Sequence, residues 1–301
     1  MTEHRVITED ERKELQPILS KLSVQNISGI LRFVDTNLEK IYDVYLIKMQ
    51  DETRILKQVG EYCADKEKYD TYFAGKDFSV PEVFEIFSEA EKHYVLMQVV
   101  EGVDARGCDR IQAANIGREL GKIQSFYLTD GGHTEAAERY WEFFEGFYEK
   151  LKGFFPDIDD VWEGVKQRFF EVPQTLIHED LLPINVLLEG DKPWFIDWEM
   201  AGIYPYFLDL ARFAYIYYDV VGAFYISAES AEAFIEAYYE EMKKNSDFDI
   251  EKEQFLYDVA ISAFGQNITL LEYDKPLDEI RDTMGFKLLK EIIQFLRKEE
   301  N

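Results

Sequence analysis

The residues with the clearest chemical potential lie in two short runs. His178-Glu179-Asp180-Leu181-Leu182-Pro183-Ile184-Asn185 comes first, and Ile196-Asp197-Trp198-Glu199 follows closely. Asp180, Asn185 and Asp197 supply two carboxylates and one amide, all hard oxygen ligands or proton acceptors. Such a set suits Mg²⁺, which keeps part of its water shell and takes phosphate oxygens as further ligands.

For these groups to act together, the intervening chain must fold back on itself. Val186-Leu187-Leu188 and Trp194-Phe195-Ile196 are apolar triplets around Glu189-Gly190-Asp191-Lys192-Pro193, the pattern of a short antiparallel hairpin. A hairpin returns to its starting point, so Asn185 before the first strand is expected near Asp197 after the second. Neighbouring strands are about 5 Å apart, close enough for an amide oxygen and a carboxylate to share one divalent cation. Asp180 enters the same place on a loop.

The pattern H-x-D-x-x-x-x-N followed by I-D-W-E resembles the aminoglycoside phosphotransferase and choline kinase group of small-molecule kinases. The second motif stands where protein kinases carry D-F-G. The resemblance implies an α+β, protein-kinase-like two-lobed fold. A small antiparallel β-sheet lobe over residues 1–101 would bind the nucleotide. A larger, mainly helical lobe over residues 102–301 would carry the catalytic loop and the acceptor site. It further implies Asp180 as the catalytic base, Asn185 and Asp197 as Mg²⁺ ligands, and Glu199 as an indirect support of the metal. Asp209, in Phe207-Leu208-Asp209-Leu210-Ala211-Arg212, matches a family aspartate that braces the catalytic loop. The reaction so implied moves the γ-phosphoryl group of ATP or GTP to an alcohol of a small molecule. An aminoglycoside, choline, ethanolamine, a sugar or a homoserine-like metabolite all remain open as acceptor.

Composition sets the outer limits. With 301 residues, 47% of them hydrophobic, the chain can bury one large core or two lobes. A net charge of −27 disfavours a nucleic-acid partner, since phosphate backbones repel such a surface. Most of the carboxylates read as solvated surface; some could line a site for a cationic acceptor, and net charge does not separate the two. Cys63 and Cys108 form no C-x-x-C pair, and His4, His93, His133 and His178 show no metal-ligand spacing. No run approaches the roughly 20 apolar residues of a membrane span, so the expectation is a cytoplasmic protein with no membrane partner.

Along the chain, Thr8 and Glu11 form a capping-box pattern that opens a short helix, expected to be disturbed at Pro17. Ile30 to Val34, Ile41 to Met49 and Thr53 to Val59 are rich in β-branched and aromatic residues and read as an antiparallel meander. Lys57 lies in the third of these strands. On the strand alone it reads as an outward-facing lysine; the resemblance makes it the lysine that reaches the α- and β-phosphates. A helix is expected over Ala64 to Gly75, and the resemblance makes its Glu67 the partner of that lysine, with Asp70 one turn later. Val80 to Ile86 and His93 to Val100 complete an expected five-stranded sheet. No G-x-G-x-x-G loop is present; the turn at Asp35-Thr36-Asn37-Leu38-Glu39-Lys40 stands in its place, and backbone N–H groups there could face a phosphate. The resemblance further implies that adenine would meet backbone groups from Gln98 to Val100, near Met97, with Glu101-Gly102 as the hinge.

Beyond the hinge the periodicity is helical, over 111–128, 135–155, 158–170, 210–225, 230–244, 251–272 and 277–297. The aromatics Tyr140, Trp141, Phe143, Phe144, Phe147 and Tyr148 read as core, with a possible wall of the acceptor site. Glu229, Glu232, Glu236, Glu240 and Glu241 line one helix face, which reads as solvated before it reads as an amine site. A protein kinase is disfavoured by the missing glycine-rich loop and by Trp198-Glu199 in place of Phe-Gly. A hydrolase is disfavoured by the lack of a G-x-S-x-G turn. A catalytically silent nucleotide-binding scaffold has no physical need to retain Asp180, Asn185 and Asp197 together.

Overall fold

The structure is a computed structural model and describes residues 2–24, 26–35, 39–60, 66–155, 158–214, 225–271, 275, 277–281 and 283–299. The chain divides into two compact units, Met1–Glu101 and Gly102–Asn301.

The first unit contains β1 (Thr2–Val6), α1 (Glu9–Leu19), β2 (Gly29–Asp35), β3 (Lys40–Lys48), β4 (Thr53–Val59), α2 (Lys66–Tyr72), β5 (Val83–Glu89) and β6 (Lys92–Gln98). The strands form one antiparallel sheet in the order β1-β2-β3-β4-β6-β5. The expected meander is β2–β4. The expected sheet of five strands has six among the described residues, because β1 pairs with β2 from Thr2↔Asp35 to Val6↔Leu31. An edge strand of sequence Thr-Glu-His-Arg-Val, with Val6 72% exposed, carries no alternating apolar pattern to read. It is held from the side. Arg5 donates to both oxygens of Glu11, at 2.7 and 2.5 Å, and Arg32 adds a bond at 2.6 Å. These guanidinium groups, Arg5 foremost, keep the Glu11 carboxyl well below the usual carboxylate range.

The capping box is present: Glu11 N–H donates to Thr8 Oγ1, and Thr8 N–H to Glu11 Oε2. Pro17, however, does not stop the helix, which continues to Leu19. Only the last turn lacks a backbone bond there, and burial of Leu15 and Ile18 beside Ile30, Ile47, Leu56 and Leu96 carries α1 past the proline. β5 starts later than expected, after Pro81, which has no N–H to give a ladder. Thr36, Asn37 and Leu38 of the expected phosphate-facing turn lie outside the described residues.

The second unit is mainly helical. In chain order it holds β7 (Val103–Asp104), α3 (Arg110–Phe126), α4 (Glu135–Phe154), α5 (Asp159–Glu171), β8 (Gln174–Ile177), β9 (Val186–Glu189), β10 (Lys192–Phe195), β11 (Gly202–Pro205), α6 (Leu208–Ala214), α7 (Ala228–Met242), α8 (Lys252–Leu270), α9 (Leu277–Arg281) and α10 (Met284–Glu299). Two small antiparallel sheets, β10-β9-β7 and β11-β8, position the loops between them. α3 packs closely on α7: a Cβ at Gly117 would lie 2.2 Å from the carbonyl oxygen of Phe234. Of the aromatic stripe on α4, Trp141 and Phe144 are buried core, whereas Phe143 is 58% exposed. Glu229, Glu232, Glu236 and Glu240 are exposed, and Glu236 is ion-paired with Lys252. The helix expected over 210–225 is described as α6 to Ala214; residues 215–224 lie outside the described residues. The single helix expected over 277–297 is two, since Thr283 Oγ1 takes the Phe286 N–H at 3.3 Å and caps a new start.

Behind the helices sits a buried ion pair. Arg168 on α5 donates from Nε and Nη2 to the two oxygens of Asp258 on α8, at 2.7 and 2.8 Å, and the Tyr206 hydroxyl adds a bond at 2.5 Å. Asp258 is fully buried, so these donors are what make its charge tolerable there.

Candidate active site

β8 is buried along its whole length and runs directly into His178. Asp209, in the first turn of α6, receives that loop. Its Oδ2 accepts the His178 N–H at 2.8 Å and the Gln124 side-chain amide at 2.9 Å; its Oδ1 accepts the Glu179 N–H at 3.0 Å. Two successive N–H groups reach one carboxylate because Glu179 has φ +70°, in the left-handed region that non-glycine residues rarely occupy. Full burial pushes the Asp209 pKa up to about 7, against the pull of these donors.

Asp180 is gripped on both oxygens. Arg212 Nη2 is ion-paired with Oδ1. Asn185 Nδ2 donates to Oδ2 at 3.0 Å and to the Asp180 backbone carbonyl at 2.7 Å. Both partners are acceptors, so the amide nitrogen of Asn185 must face them and its Oδ1 is directed elsewhere. Arg212 also donates from Nη1 to Gln266 Oε1 at 3.1 Å, while its buried Nε makes no hydrogen bond.

The expected hairpin is β9–β10, with the tighter turn Gly190-Asp191 and the register Glu189↔Lys192 to Val186↔Phe195. The pairing extends one step further, the Ile196 N–H donating to the Asn185 carbonyl at 2.9 Å. Asp197 follows immediately, with φ +68°. His178 buttresses this end: its Nε2 meets the Ile196 carbonyl at 2.8 Å, so the proton sits on Nε2, and Nδ1 makes no hydrogen bond. Burial lowers the His178 pKa and keeps the ring neutral. The ring lies 4.5 Å from that of Trp198, whose Nε1 donates to the Phe195 carbonyl at 3.1 Å. Glu199 sits in the short turn Trp198–Met200.

Glu179 itself turns toward α4, where the Tyr140 hydroxyl donates to its Oε1 at 2.6 Å. Burial first, with Asp209 nearby, pushes the Glu179 pKa up to about 8.

Among the described residues no group of three His, Cys, Asp or Glu side chains is spaced to hold a metal ion by itself. The donor set is nonetheless one a hard cation accepts: an amide oxygen and a carboxylate, with phosphate and water completing the shell. Chemically, the arrangement offers an oriented carboxylate able to accept a hydrogen bond from a hydroxyl, beside that donor pair.

The residues expected at the nucleotide lie in the first unit. Lys57 is on β4, opposite Val44 on β3 and Val95 on β6. Glu67 falls within α2, but its side chain lies outside the described residues. The Gln98 N–H donates to the Glu82 carbonyl at 2.8 Å, and Val100 lies just past β6. Gly102 is fixed by close approach, since a Cβ there would lie 2.8 Å from the carbonyl oxygen of Leu188. The sequence assigns no role to Arg212, Gln266 or Gln124, and Tyr140 reads there only as core with a possible wall of the acceptor site. Each acts through a partner far along the chain, and only the place of Arg212 beside the Asp209 motif hinted at it. No helix among the described residues is long and apolar enough to cross a membrane.

An α+β chain with an antiparallel sheet region, a helical region and this loop is built like the small-molecule kinases. The chain belongs to the phosphotransferase enzyme family, whose model matches residues 49–244. Protein LicA of Haemophilus influenzae is 28% identical over 149 residues, 44% of this chain and 41% of LicA. LicA of strain ATCC 51907 / DSM 11121 / KW20 / Rd matches over the same stretch, 52% of its length, so the chain spans about half or less of these relatives. The structure of amicoumacin kinase hAmiN in complex with AMP-PNP, Ca²⁺ and Ami is similar with a TM-score of 0.53 at 14% identity, over 97% of this chain and 96% of that one. Plasmodium vivax ethanolamine kinase is similar with a TM-score of 0.56 at 14% identity, over 96% and 89% of the two chains. At such identities the likeness shows the fold alone.

Proposed function

We propose that the chain is a small-molecule kinase that moves the γ-phosphoryl group of ATP or GTP to a hydroxyl of a small cationic acceptor, an aminoglycoside or an amino alcohol such as choline or ethanolamine. The observation that carries this reading is the double grip on Asp180 by Arg212 and Asn185, next to the hairpin that brings Asn185 to Ile196-Asp197. Asp180 accepts the hydrogen bond of the acceptor hydroxyl and aims it in line with the leaving oxygen. Orientation suffices for this role, because bond breaking runs ahead of proton transfer in a loose transition state. Asn185 Oδ1 and the Asp197 carboxylate would hold Mg²⁺, which when bound neutralises charge on the phosphates. Glu199 would steady that shell, and Lys57, held by Glu67, would meet the α- and β-phosphates. Backbone groups from Gln98 to Val100 would take adenine or guanine. The similar kinase bound to AMP-PNP and Ca²⁺ supports a nucleoside triphosphate and a divalent cation as the donor pair.

The test is nucleoside triphosphate consumption with Mg²⁺ against aminoglycosides, choline, ethanolamine and small sugars, with Asp180→Asn as control. Stimulation by one compound that disappears in the control supports the reading. Stimulation retained in Asp180→Asn sinks the assigned base, and neither turnover nor Mg²⁺-dependent nucleotide binding moves the weight to a silent scaffold.

A further inference from the structure

The residue before Asp180 is held in a backbone conformation that costs stability. Glu179 has φ +70°, where most side chains are strained and a glycine is not. The turn alone therefore gives no reason for a glutamate. Its side chain supplies one, since Oε1 accepts the Tyr140 hydroxyl of α4 at 2.6 Å. The Glu179 N–H is tied at 3.0 Å to Asp209 on α6, so the backbone and side chain of one residue are anchored to different helices. Tyr140 is itself wedged, its ring 5.2 Å from those of Phe144 and Tyr204 and stacked at 6.0 Å on that of Phe169. On the far side of Asp180, Leu181 is fully buried, and the Asp180 carbonyl accepts the Leu182 N–H at 2.8 Å. The tether suits a neutral carboxyl, the form in which burial keeps Glu179 at neutral pH, because the phenol donates and needs only an oxygen.

We propose that Tyr140 is a positioning residue for the phosphoryl transfer, fixing through Glu179 the backbone that aims Asp180. A strained residue persists only where its surroundings over-determine it, and here the contacts that do so converge on the neighbour of the reacting carboxylate. Without the tether Glu179 relaxes away from φ +70°, and Asp180 turns with it, since the two share a peptide plane. The inference rests on the kinase reading for the reaction, whereas the tether is a property of the loop itself.

The experiment compares Tyr140→Phe, Glu179→Gly, Glu179→Gln and the double variant Tyr140→Phe/Glu179→Gly in the full chain, with the acceptor that stimulates turnover. Tyr140→Phe keeps the ring and loses the hydroxyl, while Glu179→Gly removes strain and tether together. Each should lower kcat roughly tenfold with the nucleotide KM unchanged, and the urea midpoint of Glu179→Gly should be no lower than that of wild type. The double variant should be no slower than the slower single one, because both changes cut the same tether. Glu179→Gln keeps an oxygen for the phenol and should recover most of what Glu179→Gly loses. A kcat within about twofold of wild type in either Tyr140→Phe or Glu179→Gly overturns the positioning role but leaves the kinase reading intact. So do losses that multiply in the double variant, a Glu179→Gln enzyme as slow as Glu179→Gly, or a Glu179→Gly midpoint that falls together with kcat. If no acceptor is turned over, hydrogen exchange decides. Faster exchange of the Leu182 and Asn185 amides in both Tyr140→Phe and Glu179→Gly upholds the tether although the kinase reading has failed, and exchange equal to wild type in either variant overturns it.

Discussion

Arg212 and Asp180 stand 32 residues apart in sequence and form an ion pair through Nη2 and Oδ1. Asn185 occupies the second oxygen of the same carboxylate at 3.0 Å. The acid group is therefore oriented before any substrate arrives, which removes rotational freedom that would otherwise be lost during reaction. Arg212 in turn is fixed by Gln266 on α8, so the geometry of the catalytic loop depends on a helix distant in the chain.

That dependence is measurable. Arg212→Met should lower kcat roughly 10- to 100-fold, the scale expected when a reacting group is misplaced by about 1 Å, with little change in nucleotide affinity. Gln266→Ala should lower it less. Steady-state kinetics of both variants, with nucleotide binding by calorimetry, check the ranking; an Arg212→Met enzyme with unaltered kcat would remove the positioning role.

Asp209→Asn tests the brace. Its two oxygens serve three N–H donors, so an amide must turn its NH₂ toward at least one of them. The expected cost is about 2–4 kcal/mol in stability, one lost bond plus one buried donor left facing another donor, read from the shift of the urea unfolding midpoint. Turnover should fall with it, because His178 and Glu179 lead into Asp180.

A third expectation concerns pH. The Glu179 pKa is raised from its ordinary 4.5 to about 8, so the folded protein holds a proton that the unfolded chain releases. This contribution to stability is fully present below the unfolded pKa and is lost as pH rises through about 8. Wild type should therefore lose stability relative to Glu179→Gln as pH rises through that window. Parallel urea titrations of the two proteins check it, and parallel curves would mean that Glu179 titrates alike in both states.

The Arg168–Asp258 pair predicts an asymmetry. Asp258→Ala strands a largely buried guanidinium and should cost about 3–5 kcal/mol, while replacing both partners by apolar residues should cost much less. Tyr206→Phe should cost about 1 kcal/mol, one hydrogen bond to the same carboxylate. Thermal unfolding of the three proteins gives the comparison directly.

Much of this molecule was legible in the chain, and for local reasons. The β2–β4 meander, the β9–β10 hairpin and most helices follow from apolar periodicity and turn residues, which act within a few positions. β1 was missed because a polar edge strand has no such pattern, and α1 outran Pro17 because tertiary burial outweighed one absent hydrogen bond. In the site, Asp180, Asn185 and Asp197 stand out by type and spacing. Their supports do not: Gln124 reaches Asp209 across 85 residues and Tyr140 reaches Glu179 across 39, and such meetings leave no spacing to detect. The raised pKa values of Glu179 and Asp209 are likewise products of burial, invisible until the chain is folded.

The β9–β10 hairpin works as a caliper. Its open end sets the separation of Asn185 and Asp197, and its closed end at Gly190-Asp191 sets nothing at that point. Residues added in the turn, or in pairs across the ladder, leave the jaws unmoved. One residue added to a single strand slips the register and rotates one donor to the opposite face of the ribbon. Length variation and the spacing of the two oxygen donors are thus uncoupled at one end of the same element and rigidly coupled at the other. An insertion at the turn leaves that spacing alone and costs at most the bond from the Asn115 amide on α3 to the Asp191 carbonyl, whereas one at the junction Asn185-Val186 changes the spacing itself.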